Sequence, residues 1–125
     1  MKYDISKCEL EIMHVLWREG RPLLRADILR LSGDNKSWSD NSFHILLNSM
    51  INKGLVKVDG FAQSHKGYGR MYCPTLSAEE YYLDMIDGNE LLDPAKLLAL
   101  LLGEKPDADT IQRVQNVLDE AKKQL

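Results

Sequence analysis

The 125-residue sequence has few of the residues that build metal centres and disulfides. Its two cysteines, Cys8 and Cys73, form no CxxC or CxC pair, and its three histidines are scattered along the chain. A zinc site needs clustered sulfur and imidazole ligands, and lone cysteines are usually small, partly buried thiols. We therefore expect free thiols, with neither a metal site nor a cofactor.

The sequence also lacks long apolar runs and the short motifs of common enzymes. The longest run, Leu97 to Leu102, is far shorter than the roughly 20 residues that span a bilayer. The N-terminal stretch MKYDISKCELEI has no apolar core of a signal peptide. No GxSxG, P-loop, HExxH or GxGxxG motif occurs. We expect a cytoplasmic protein that is not an enzyme and makes no direct membrane contact.

Positive charge is scarce and unevenly placed. The formal net charge is −3, but residues 1–76 hold 11 Lys and Arg against 8 Asp and Glu. Residues 77–125 hold 5 against 11, so the two segments carry +3 and −6. A basic front and an acidic back favour contact between the front and a polyanion. An ordinary surface could carry the same small excess, so this bias decides nothing by itself.

Capping signals and hydrophobic spacing predict helices and strands in the order α-α-α-β-β-α-α-α. The predicted helices run from about Ser6 to Gly20, Leu24 to Leu31, Ser39 to Gly54, Ser77 to Met85, Asp93 to Leu102 and Asp107 to Lys123. The predicted strands are LVKVDG and GRMYCPT, separated by a loop that holds Gly60, Gly67 and Gly69. This order indicates a mainly α fold with a small β-hairpin. We assign residues 1–76 to a winged helix-turn-helix domain and residues 77–125 to a C-terminal helical dimerisation region.

The third predicted helix has no Lys or Arg between Ser39 and Asn52. Its apolar residues recur at i, i+3, i+4 and i+7 and predict a buried stripe: Phe43, Leu46, Leu47 and Met50. At 100° per residue, the opposite side carries Asn41, Ile45, Asn48 and Asn52, flanked by Ser42, His44 and Ser49. The predicted outer face is therefore rich in Asn, with one branched apolar residue at its middle.

Two interpretations of this outer face are open. It is either a solvated helix surface or a surface that contacts base edges in the major groove. Asn pairs bidentately with adenine, and an apolar side chain packs on the thymine methyl group. Asn is a poor helix former, and a conflict between local propensity and structure tends to mark a functional site.

A helix without cations can specify bases while other residues contact phosphates. The predicted cationic contacts lie outside the third helix, and the loop QSHKGYGR supplies several of them. The complete predicted DNA-binding set is Arg25, Lys36, Ser39, Asn41, Ser42, His44, Ile45, Asn48, Asn52, Lys53, Lys66, Tyr68 and Arg70. The alternative for QSHKGYGR is an ordinary flexible hairpin tip.

The leucine-rich fifth helix is apolar around almost its whole circumference, so it must be buried. A chain of this size can hardly cover every side, which favours a partner subunit. The predicted dimerisation residues are Leu97, Leu98, Leu101, Leu102, Ile111, Val114 and Leu118. The alternative is a three-helix core within one chain.

Three blocks of this sequence resemble the BlaI/MecI/CopY family of bacterial penicillinase repressors. They are ISKCELEIMHVLW, WSDNSFHILLNSMINKGLV and YCPTLSAEEY, and they occur in the family's order and at workable spacing. The resemblance implies a homodimeric repressor whose winged helix binds a palindromic operator on double-stranded DNA. It also implies, for some members, a membrane-embedded metalloprotease sensor that cleaves the repressor.

The chain departs from the family pattern at several positions. Asp40, Asn41 and Ser42 replace the usual residues after WS, and Ser49 stands where the family has Arg. Leu101-Leu102 lies near the place where β-lactamase repressors have a cleavable Asn-Phe bond, and no Asn-Phe pair occurs. The CxC pairs of copper-responsive members are also missing. The competing hypothesis is a winged helix that binds proteins and has weak or no affinity for DNA.

Overall fold

The computed structural model describes residues 2–64, 67–86 and 91–125. It divides into two compact units, Met1–Asp87 and Gly88–Leu125. The sequence analysis placed a boundary after residue 76, whereas here the helix Ala78–Ile86 belongs to the first unit. Tyr81 of this helix is buried in the core, and its ring centroid lies 5.8 Å from that of Trp17.

The first unit has the element order of a winged helix. Its helices are α1 (Lys7–Glu19), α2 (Arg25–Ser32), α3 (Phe43–Asn52) and α4 (Ala78–Ile86), with a short 3-10 turn at Asp40–Ser42. Its strands are β1 (Leu23–Leu24), β2 (Val56–Ser64) and β3 (Gly67–Pro74). The mainly α fold and the winged helix predicted from the sequence are confirmed.

The sheet has three antiparallel strands in the order β1-β3-β2, one more than the predicted hairpin. Strand β1 pairs Leu23 with Tyr72 and Leu24 with Met71. The predicted start of the second helix at Leu24 was therefore wrong by one residue. A two-residue strand carries no period of its own, so its pairing depends on β3, which lies far along the chain.

Strands β2 and β3 also continue through most of the predicted loop. Gly60 does not end β2; it lies in a bulge between Val58 and Phe61 with a φ of 93°. Only glycine adopts such a φ without strain, and a bulge changes the strand's course while pairing resumes beyond it. The wing is consequently a long two-stranded ribbon.

Caps fix the helix ends largely as predicted. Ser6 and Glu9 form a capping box at α1, and Gly20 ends that helix with a φ of 65°. Ser77 and Glu80 form the same reciprocal pair at α4, with both hydrogen bonds 3.0 Å long. These side chains satisfy amide groups that the first helical turn leaves unpaired.

The core of the first unit lies where α1, α2 and α3 meet the sheet. Its fully buried apolar side chains are Ile12, Met13, Leu16, Leu23, Ile28, Leu47 and Met50. The predicted α3 stripe is confirmed: Phe43, Leu47 and Met50 are buried, and Leu46 packs against them half-buried. Burial of this stripe fixes which side of α3 faces outward.

The second unit contains two helices, α5 (Pro94–Leu102) and α6 (Ala108–Lys122). Asp93 and Asp107 cap them by accepting hydrogen bonds from the amides of Ala95 and Thr110. Neither helix contains a buried residue. Among the helices in the described ranges, none combines the length and the apolar character needed to cross a bilayer.

A buried carboxylate joins α1 to α3. Glu9 is 2% exposed, and its side chain accepts hydrogen bonds from the Ser6 amide, the Ser49 hydroxyl and the Lys53 ammonium, at 2.9, 2.9 and 2.8 Å. Ser49 lies on α3, and Lys53 follows directly after it. Because a buried charge must be paired and hydrogen-bonded, Glu9 ties the last turn of α3 to the first turn of α1.

Two opposing effects set the pKa of Glu9. Burial alone raises it, because desolvation disfavours the carboxylate. Hydrogen bonds from Lys53, Ser6 and Ser49 outweigh burial, so the pKa of Glu9 lies below its ordinary value. The hydrogen bond to Glu9 in turn raises the pKa of Lys53. Both groups are therefore charged at neutral pH.

We expect Glu9→Gln to lower the free energy of unfolding by about 1–3 kcal/mol at neutral pH, because three donors lose a charged acceptor. A carboxyl whose pKa falls on folding stabilises the protein above its unfolded pKa, about 4.3, and this contribution is lost as the pH falls through the folded pKa. The stability difference between wild type and variant should therefore shrink below about pH 4. Urea unfolding at neutral and acidic pH measures it.

Asp4→Asn is the matched control for this experiment. Its carboxylate lies 3.7 Å from the same Lys53 ammonium but is 92% exposed. An exposed ion pair contributes little, so this variant should unfold like wild type. A Glu9→Gln difference that stayed constant from neutral to acidic pH would contradict the assigned charge state of Glu9.

Candidate nucleic-acid interface

The outward side of α3 is exposed in the described part of the first unit. Ile45 is 63% exposed, and His44, Asn48 and Asn52 are exposed beside it. These positions lie opposite the buried stripe of α3, as helical geometry requires. A ligand with a groove wide enough for this helix could therefore contact two amide side chains and one branched apolar side chain at once.

The N-terminal end of this surface differs from the prediction. Asp40–Ser42 form a 3-10 turn, and α3 begins only at Phe43. Asn41 is exposed, but it lies in this turn, so the 100° step of an α-helix does not place it on the α3 face. The predicted Ser39 cap was wrong, because Ser39 makes no side-chain cap bond and pairs with the Ser42 hydroxyl at 2.9 Å.

Two of the predicted phosphate-binding cations are already paired with carboxylates. The Lys36 ammonium lies 2.8 Å from Asp40 and 5.2 Å from the Trp38 ring centroid, and its side chain is 12% exposed. The Lys53 ammonium is held by Glu9 and Asp4. A cation in such a pair adds little net charge to a DNA-facing surface. The sequence could not show the Lys53 pair, because Glu9 and Lys53 are far apart along the chain, whereas Lys36 and Asp40 are only four residues apart.

Arg25 and Arg70 are exposed cations on one side of the wing, and Lys57 is a further exposed cation on β2; none of the three has an ion pair within the described ranges. Arg25 begins α2, and its guanidinium lies 5.8 Å from the centroid of the buried Tyr72 ring. Arg70 lies two residues before Tyr72 on β3, so its side chain leaves the strand on the same face. The two arginines therefore lie near one another.

The wing presents a mixed surface on that same face. Register pairs Phe61 with Arg70 and Gln63 with Tyr68. Phe61 is 63% and Tyr68 is 78% exposed. The predicted contact Lys66 lies outside the described residues. Phe61 was not predicted as a site residue, because the sequence analysis assigned it to a loop; the alternation FAQS after Gly60 is the signal that could have found it.

A protein-family model described as "Penicillinase repressor" matches residues 5–120. Among solved structures, the chain is 20% identical to a PadR family transcription regulator from Clostridium difficile R20291, with a TM-score of 0.47 over 78% of this chain and 100% of that one. It is 19% identical to RosR from H. salinarum, with a TM-score of 0.46 over 98% and 97% of the two chains. No curated protein matches the chain.

We expect Arg70→Ala to weaken binding to any DNA duplex and to lower the slope of log affinity against log salt by about 1, because one phosphate contact is lost. Fluorescence anisotropy with a labelled duplex at several salt concentrations measures that slope. The control is the double variant Lys36→Ala/Asp40→Ala, which removes an ion pair without changing the net charge. Its slope should equal that of wild type, and a drop like that of Arg70→Ala would contradict our assignment of the free cations.

Proposed function

The chain belongs to the penicillinase repressor family of DNA-binding transcription regulators, and from that membership we propose that it binds a palindromic operator as a homodimer and represses transcription. The observation that supports this proposal most directly is the free outer face of α3. Ile45, Asn48 and Asn52 are held outward by burial of the opposite stripe. The helix is free to enter a major groove, which is wide enough to admit it.

The chemistry of the α3 face favours A·T-containing half-sites. The Asn48 amide can accept from adenine N6 and donate to adenine N7, while Ile45 packs on a thymine methyl. His44 and Asn52 lie beside them on this face, and Asn41 lies in the 3-10 turn that precedes α3. In this proposal all three supply further hydrogen bonds. G·C pairs are usually contacted by Arg or Lys, and α3 contains neither.

Phosphate contacts in this proposal come from around the helix. Arg25 and Arg70 supply charge, while Tyr68, Ser39 and Ser42 supply hydroxyl groups at the edges of the surface. We leave Lys36 and Lys53 out of the contact set because carboxylates already hold their ammonium groups. So few charged contacts give one subunit a low affinity for DNA.

Dimerisation compensates for that low affinity, because the second half-site then binds as an intramolecular event. The C-terminal unit offers a surface for it. Leu101 of α5 is 76% exposed, and Ile111 and Leu118 of α6 are 50% and 44% exposed. The full proposed interface is Leu97, Leu98, Leu101, Leu102, Ile111, Val114 and Leu118. Exposed apolar surface of this kind in one subunit is covered by a second copy.

Control by a membrane metalloprotease sensor is a further part of the hypothesis. It requires a cleavage site different from that of the β-lactamase repressors, because Leu101-Leu102 occupies the corresponding place. Mass analysis of the repressor after co-expression with such a protease would locate the cut.

The second candidate function is a winged helix that binds another protein. The absence of any Lys or Arg from α3 favours it, as does Asp40 immediately before that helix. Selection of bound duplexes from a random pool, followed by a salt titration, separates the two functions. An operator-binding repressor enriches a palindrome and loses affinity as salt rises. Failure to retain duplex DNA even at low salt would support the protein-binding module.

We expect Asn48→Ala to weaken binding to the selected duplex by roughly 1–3 kcal/mol, because one bidentate base contact is lost. Affinity for random duplexes should be unchanged, since these make only phosphate contacts. Competition assays measure both affinities. Asn35→Ala is the control, because Asn35 is equally exposed but lies in the loop before Lys36. Equal losses on selected and random DNA would exclude a base contact by Asn48.

We expect Leu101→Asp to convert the dimer to a monomer, because a carboxylate cannot be buried without a partner. Sedimentation equilibrium measures the mass directly. Ile45→Asp is the reciprocal control: it introduces the same charge at a site 63% exposed on α3. It should keep the dimer mass and lose DNA binding. A Leu101→Asp protein that sediments with the wild-type mass would rule out an interface through this residue.

A further inference from the structure

Over residues 61–64 and 67–70, the wing carries two large aromatic side chains on one face and small side chains on the other. Phe61 lies opposite Arg70, and Tyr68 lies opposite Gln63, so the two aromatic residues are diagonal neighbours across the ribbon. They are 63% and 78% exposed. We call this surface, Phe61, Gln63, Tyr68 and Arg70, the aromatic face of the wing. The reverse face holds Ala62, Ser64, Gly67 and Gly69.

The bulge at Gly60 determines which residue stands opposite Arg70. Val58 pairs with Tyr72 and Phe61 pairs with Arg70, so β2 uses one residue more than β3 over this interval. With regular pairing, Gly60 would lie opposite Arg70 and Phe61 would point to the reverse face. The extra residue therefore places Phe61 on the outward, cationic face.

The reverse face is closed to bulky groups near the body of the protein. A Cβ atom added to Gly69 would lie 3.1 Å from a methyl carbon of Leu24. Burial, and then the neighbouring carboxylate of Asp59 on β2, raise the pKa of the Cys73 thiol. Cys73 alternates with Tyr72 along β3 and so lies on the other face. The carboxylate of Asp59 therefore lies beside Cys73 on the reverse face and does not neutralise the positive charge of the aromatic face.

An aromatic and cationic face on a thin ribbon is complementary to DNA. Arg70 and the nearby Arg25 attract phosphate oxygens, and arginine is favoured where a narrow minor groove concentrates negative potential. Apolar side chains such as Phe unstack base pairs when they enter from the minor groove, and they bend the duplex toward the major groove. Two guanidinium groups beside two exposed aromatic rings suit a partner that offers both phosphates and stacked bases, as nucleic acid does.

Resting on the proposed operator binding, we propose that Phe61 is a wedge residue. The wing lies over the minor groove beside the base pairs contacted by α3, with Arg70 at the backbone. The Phe61 ring enters between two base pairs and bends the DNA. Tyr68, nearer the end of the ribbon, keeps its hydroxyl at a phosphate. Sequence preference at this step comes from deformability, so a flexible pyrimidine–purine step is favoured.

The test uses the full-length protein and the duplex that it selects from a random pool. Fluorophores at the two duplex ends report bending by energy transfer, and 2-aminopurine at the candidate step reports unstacking. We expect wild type to bend the duplex by about 20–90° and to raise 2-aminopurine fluorescence. Phe61→Ala should lose more than half of the bend and bind roughly tenfold more weakly.

Gln63→Ala is the matched control, since it lies on the same strand and the same face, two residues from Phe61. It should bend the duplex as wild type does. Replacing A·T by inosine·cytosine at the wing step preserves the minor-groove pattern, because inosine lacks the N2 amino group. Bending should survive this replacement at the wing step, whereas the same change under α3 should weaken binding.

The outcomes distinguish the wedge from operator binding itself. If wild type binds the duplex selectively but does not bend it, the proposal that Phe61 is a wedge residue is wrong, and the proposed operator binding still stands. An equal bend with wild type and Phe61→Ala would lead to the same conclusion. Wild-type protein that retains no duplex at low salt would overturn both proposals together.

Discussion

The contact between Glu9 and the end of α3 is the constraint on which the orientation of the proposed DNA-binding surface depends. One buried carboxylate receives Ser49 from within the helix and Lys53 from just after it. With the apolar stripe on the same side, these bonds set the rotation of α3 about its axis. A rotation of one residue, about 100°, would replace the Asn side chains on the outer face by Ser49 and Leu46 in one direction, or by His44 and Ile51 in the other.

The same contact decides where positive charge is available. Lys53 follows α3 directly in sequence, but its ammonium group is paired with Glu9. The ammonium group of Lys36 is paired with Asp40 in the same way. Of the exposed cations without such a pair, Arg25 lies at the start of α2, and Arg70 and Lys57 lie on the strands of the wing. The exposed hydrogen-bonding side chains thus lie on α3, whereas the unpaired cations lie on the wing and at the start of α2. This arrangement suits recognition in which one element contacts bases and the other contacts the backbone.

Much of the fold could be predicted from local patterns. The capping boxes at Ser6 and Ser77 and the spacing from Phe43 to Met50 each act within a few residues, so the sequence shows them directly. The strand at Leu23 and the engagement of Lys53 by Glu9 depend on partners far along the chain, and no local pattern reports them. Gly60 was wrongly predicted to lie in a loop for a different reason, because glycine is common in both turns and bulges.

The scarcity of unpaired cations around α3 also bears on how the protein is distributed in a cell. Sequence-independent attraction to chromosomal DNA comes almost entirely from phosphate contacts, and a genome offers millions of competing sites. A repressor whose Lys36 and Lys53 are already paired with carboxylates is expected to bind fewer of those competing sites. Fewer molecules are then needed to keep one promoter occupied.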